Sequence, residues 1–139
     1  MTNAQELARL REVPLFSEID DEHLALVAEC AAAFEVEAGF VLVEYGQPGS
    51  GMFVLLEGTV QVDLPNREPM TLGPGEFFGE LALLTDAHRV ARVRATTPVG
   101  GLAIGRAAFW KMLHDEPRVA VGMLPVLARR LVALETALA

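Results

Sequence analysis

The sequence predicts an α+β chain, mainly β, in which an antiparallel barrel or jelly roll is flanked by helices at both ends. Three observations carry that prediction. From Glu35 to Ile104, short β-rich runs are separated by Gly/Pro turns, the pattern of many short strands closing on themselves. Helical patterns precede and follow this region. The 139 residues, 52% of them hydrophobic, suit one domain with a sizeable core.

The segments "QELARLREV" and "DDEHLALVAECAAAF" both carry the helical period, the second with Leu24, Val27 and Ala28 on one face and Asp20 as its N-cap. "PLFSEI" links them, so helices are expected across residues 1–34. The barrel is expected over 35–105, with strands in "FVLVEY", "MFVLLE", "TVQVDL" and "RVARVRA" and breaks at "GQPGSG", "EG", "PNREP" and "LGPGE". Helices return over 106–139, beginning with "AAFWKMLHDE". Pro117 suits a helix start, where its missing N–H costs nothing, and Pro125 is expected to kink the last helix. Leu124, Leu127, Leu131, Leu134 and Leu138 form a seam at alternating three- and four-residue spacing, more than one surface helix needs for itself.

A net charge of -8 opposes nonspecific nucleic-acid binding, which relies on basic surface to displace counterions from phosphates. Any bound anion must therefore be held by a local site. The single Cys30 has no internal disulfide partner, and "MTNAQELARLREV" lacks the apolar core of a signal peptide. A cytoplasmic protein is expected. No uninterrupted apolar run reaches the roughly 18 residues of a membrane span, because Glu29, Glu35 and Glu37 break the richest stretch.

Two charges in "FFGELALLTDAHRVARVRA" invite a functional reading. Strand alternation in "RVARVRA" puts Arg89, Ala91, Val93 and Ala95 on the inward face and Arg92 and Arg94 toward solvent. An inward arginine is costly unless an anion meets it. The anion is either Glu80, nine positions earlier, or an external phosphate, whose oxygens match the guanidinium fork. "GELALL" opens a short helix whose N–H groups favour an anion, and Gly79 permits close approach to the backbone. Together these residues describe a small phosphate cradle.

From Val13 to Leu131 the chain resembles the cyclic-nucleotide-binding domain family of catabolite-activator regulators, kinase regulatory subunits and cyclic-nucleotide-gated channels. The resemblance runs through "VPLFSEIDDEHLALVA", "GFVLVEYGQPGSGMFVLLEGTVQV" with turns at Gly46 and Gly58, "FGELALL" followed by Arg89, and "LARRL". It implies a double-stranded β-helix jelly roll with a phosphate-binding cassette at 77–91. It further implies a ligand-binding set of Gly79, Glu80, Leu81, Ala82, Arg89, Val90 and Leu134. Glu80 would accept from the ribose 2'-hydroxyl, Arg89 would pair with the cyclic phosphate, Gly79 would contact the ribose, and the N–H groups of Ala82 and Val90 would meet phosphate oxygens. Leu134 and Glu135 fall where the catabolite activator reads the base. The chain departs from the pattern at Val90, which has no hydroxyl, and at His88, where proline is common. Cyclic AMP is therefore favoured over cyclic GMP, though the base stays open, and no metal is implied.

Other residues read as structural. Arg129 and Arg130 suit a solvated helix face, Cys30 a small core position, and the methionines with Trp110 core or lining. An enzyme built on a related barrel would use a metal, yet His23, His88 and His114 are isolated and no H-x-H pair occurs. DNA binding is not expected, because no basic recognition helix follows the leucine seam. The expectation is a sensory module that relays a cyclic nucleotide through its C-terminal helices to an effector protein, with a homodimer through the last helix. A degenerate pocket that serves only protein interaction, or the sensory fragment of a larger regulator, are the alternatives.

Overall fold

The computed structural model describes residues 4–85 and 88–138. The chain divides into two compact units, Met1–Cys30 with Phe109–Ala139, and Ala31–Ala108.

The first unit is helical: α1 (Ala4–Arg11), a 3-10 turn (Pro14–Phe16), α2 (Asp21–Glu29), α3 (Arg106–Asp115, of which the residues from Phe109 belong here) and α4 (Arg118–Leu138). Asp20 caps α2 as expected, accepting from the His23 N–H at 2.8 Å, and Leu24, Val27 and Ala28 are buried. Arg11 donates to the Ile19 carbonyl and pairs with Asp21 at 2.6 Å, tying the turn between α1 and α2. Phe16 and Phe109 are fully buried and tilted against each other at 6.0 Å; burying such a side chain contributes about 1.5–3 kcal/mol. The helix α4 continues through Pro125. The carbonyl that loses its helical partner there belongs to Val121, an exposed residue.

The second unit is two four-stranded antiparallel sheets, ordered β1-β8-β3-β6 and β2-β7-β4-β5. The strands are β1 (Ala31–Val36), β2 (Val41–Val43), β3 (Gly51–Glu57), β4 (Val60–Asp63), β5 (Met70–Leu72), β6 (Phe77–Phe78), β7 (Arg92–Ala95) and β8 (Val99–Gly105). Val43, Leu55, Val60, Val62, Val93, Ala95 and Val99 form one buried cluster, with Phe34, Phe53 and Phe78 packed on it. In β4 and β7 buried residues alternate with more exposed ones, so the jelly-roll fold class follows from the pattern.

The helix expected to run to Phe34 ends at Glu29, and Ala31–Phe34 is strand. Three alanines favour helix locally, but pairing along β8, from Ala31 opposite Ile104 to Val36 opposite Val99, outweighs that weak preference. The β region therefore begins at Ala31 rather than residue 35.

Candidate functional site: the glycine-arginine cassette

The cassette expected at 77–91 is described except for residues 86 and 87, which lie outside the described residues. It begins on β6, where Phe78 pairs with Phe53 and stacks on its ring at 5.1 Å. Gly79 then turns the chain with φ 82° and ψ 18°, a left-handed conformation that favours glycine. Glu80–Leu83 follow as a single 3-10 turn, with Ala82 and Leu83 buried and Leu81 exposed.

Two sequence expectations need correction here. The short helix expected from "GELALL" is one 3-10 turn, and the Ala82 N–H already donates to the Gly79 carbonyl at 2.9 Å. Little helix dipole is available, so attraction for an anion falls chiefly on Arg89. Secondly, Arg89 precedes the strand, since β7 starts at Arg92. The alternation holds for Val93 and Ala95, which are buried, and for Arg92, which faces out and donates to Glu44 at 2.8 Å. For Arg89 itself, loop bonds and not strand parity set the direction.

Those bonds are numerous. The Arg89 N–H donates to the Gln47 carbonyl at 2.7 Å, and its carbonyl accepts from the Gly46 N–H at 2.9 Å. His88 bridges Pro48. The half-buried guanidinium donates from Nη2 to the Gly51 carbonyl at 2.6 Å, while Nη1 lies against Gly79. Burial pulls the Arg89 pKa down, the direction expected when water is removed from a cation. An anion reaching this guanidinium would replace solvation that the fold has taken away.

The fold thus gathers Gly79, Glu80, Leu81, Ala82, Arg89 and Val90 on one unit, with the Val90 side chain 68% exposed. Leu134 and Glu135 stand exposed on α4, in the other unit. Cys30 is half-buried at the end of α2, and burial, followed by the charge of Glu29, pushes its thiol pKa up. Sequence reasoning missed Arg106, whose Nη1 donates to the Gly49 carbonyl at 2.7 Å and to the Thr85 carbonyl at 3.1 Å. No local signal marks it, because its partners are 57 and 21 positions away. A cleft of about 680 Å³ on the β unit, lined by Glu35, Glu37, Glu57 and Phe40 among others, contains none of the expected ligand residues. Its carboxylates have the wrong sign for phosphate. Among the described residues no group of three His, Cys, Asp or Glu is placed to hold a metal ion, and no described helix is long and apolar enough to cross a membrane.

The sequence profile of the cyclic nucleotide-binding domain matches residues 33–116. The chain belongs to this family. The domain is 34% identical to the N-terminal domain of a transcriptional regulator from Streptomyces coelicolor A3(2), with a TM-score of 0.82 over 93% of this chain and 96% of that one. It is 28% identical to the regulatory domain of Toxoplasma gondii PKA, crystallised with cAMP, with a TM-score of 0.70 over 83% of this chain and 47% of that one. A cyclic nucleotide-gated potassium channel of Mesorhizobium japonicum is 40% identical over 108 residues, 78% of this chain and 30% of the channel. The domain spans less than a third of the length of the curated relatives it matches.

Proposed function

We propose that the domain binds a 3',5'-cyclic mononucleotide through its cassette and acts as a regulatory module, without a catalytic step of its own. The observation that carries this reading is the half-buried Arg89 guanidinium, held between the Gly51 carbonyl and the bare backbone of Gly79. A planar fork with donors to spare suits a cyclic phosphate, and Glu80, next to Gly79 in sequence, suits the ribose 2'-hydroxyl, which a carboxylate accepts from while it repels phosphate. Gly79 offers its backbone to the ribose, and the N–H groups of Ala82 and Val90 would serve the phosphate, that of Ala82 by sharing or leaving its bond to Gly79. Cyclic AMP is favoured over cyclic GMP, since Val90 brings no hydroxyl to the ligand. The Toxoplasma gondii relative crystallised with cAMP supports a cyclic nucleotide as the ligand class.

Calorimetry with cyclic AMP and cyclic GMP tests the reading, and heat with cyclic AMP at lower concentration is expected. No heat with either nucleotide would leave a degenerate fold that serves protein interaction. Relay to an effector through the C-terminal helices predicts that nucleotide slows protease cleavage beyond Pro117, because a ligand shifts a conformational equilibrium only through its differential affinity for the two forms. Leu134→Ala decides whether α4 helps to hold the base. Self-association through the leucines of α4 belongs to the same reading.

A further inference from the structure

Three consecutive carbonyls where the loop enters β3 are each taken by an arginine N–H. Gly49 O accepts from Arg106 Nη1 at 2.7 Å, Ser50 O accepts from the Arg106 backbone N–H at 2.6 Å, and Gly51 O accepts from Arg89 Nη2 at 2.6 Å. Arg106 Nη1 also reaches Thr85 O at 3.1 Å, at the exit of the 3-10 turn that carries Glu80. One side chain at the start of α3 thus ties together the two backbone segments on either side of the Gly79–Arg89 contact. The loop it holds is rich in glycine, so its own backbone preference fixes little.

We propose that Arg106 is a positioning residue for ligand binding, one that aims the Arg89 guanidinium by fixing the Gly51 carbonyl on which it hangs. Arg106 touches no ligand in this scheme. Its two side-chain bonds hold residues 49 and 85, Gly51 lies two positions beyond the first of these, and Arg89 takes its direction from Gly51 and from the space left at Gly79. With the Arg106 side chain removed, the loop loses its tie at Gly49 and the turn its tie at Thr85, while the backbone bond to Ser50 and the pairing of Gly51 with Gly105 stay; the Gly51 carbonyl is held less closely, and Nη1 loses its fixed line past Gly79. A guanidinium fork binds phosphate through geometry as well as charge, so lost aim weakens binding while the charge stays in place. The inference rests on the reading that Arg89 meets the cyclic phosphate.

The test is a double-mutant cycle on the full chain, with cyclic AMP as the probe in calorimetry, joined to amide hydrogen exchange without nucleotide. Arg106→Ala should weaken binding roughly ten- to a hundredfold, the loss of charge-assisted hydrogen bonds, in the wild-type background. In an Arg89→Lys background, where no fork is left to aim, the loss should shrink to about twofold. Arg106→Lys keeps the charge with a single donor head, and should fall between wild type and alanine; it also serves if the alanine variant does not fold. Exchange should quicken at the amides of Gly46 and Arg89, whose bonds belong to the same loop, and stay unchanged along the β1–β8 ladder. Equal losses in both backgrounds, unchanged affinity, or faster exchange across the whole β unit would overturn the proposal. If wild type binds no cyclic nucleotide, the functional reading falls, and exchange confined to Gly46 and Arg89 still decides whether Arg106 positions Arg89.

Discussion

A β-carbon on residue 79 would lie 2.5 Å from Arg89 Nη1 and 3.0 Å from the Gly51 carbonyl oxygen. Gly79 is therefore needed twice, for its left-handed φ of 82° and for the space its missing side chain leaves to the guanidinium. Gly79→Ala should cost about 1–2 kcal/mol of stability from the backbone alone, and displace Arg89 as well. Urea unfolding and calorimetry with cyclic AMP, run on the same variant, should show affinity lost beyond what the stability loss explains. A variant with wild-type affinity would mean that Arg89 does not need this space to bind ligand.

Arg89 and Arg92 sit three positions apart in sequence and in different surroundings. Arg89→Ala removes a half-buried cation from the cassette and should weaken cyclic nucleotide binding by about 2–5 kcal/mol, the range for truncating one partner of a buried charge pair. Arg92 faces solvent and pairs with Glu44, so Arg92→Ala should leave affinity near wild type. Comparable losses at both positions would sink the assignment of Arg89 to the phosphate.

The cap of α2 should make part of the stability pH-dependent. The His23 backbone N–H, then the His23 side chain, hold the Asp20 carboxyl below its ordinary pKa. A carboxylate whose folded pKa is depressed contributes stability above its unfolded pKa and loses it as pH falls through the folded one. Urea midpoints measured downward from about pH 5 should fall in wild type through this range. Asp20→Asn keeps a capping oxygen without a titrating proton, so its midpoints should fall less steeply on the acid side. Identical slopes would show that other carboxyls govern acid unfolding.

Along α4, Leu124, Leu131, Leu134 and Leu138 are exposed, and Leu127 is half-buried. A seam this short is marginal on its own, yet four leucines facing water favour self-association. Sedimentation should show a dimer at high concentration that Leu138→Glu disrupts, while calorimetry of the same variant retains cyclic nucleotide binding. A monomer at every concentration would assign these leucines no role between chains.

Much of the domain was legible in its residues, and the physical reason differs from one element to another. Short-range rules read the Asp20 cap, the inward Val93 and Ala95, and the turns at Gly46 and Gly58 with φ 84° at each. Each of these depends on neighbours a few positions away, where side-chain alternation, capping and backbone freedom act. The tertiary structure decided what depends on distant partners. Ala31–Phe34 became strand because β8 lay ready to pair with it. Arg89 turned inward before its strand began, because Gln47, Gly46 and Gly51 hold it. Arg106 joined the site through the carbonyls of Gly49 and Thr85. The Gly79 space serves the protein's own arginine, and that emerges only when both ends of the cassette are brought together. A hydrogen bond carries no trace in sequence of a partner 57 positions away; its geometry exists only once the fold has closed the distance.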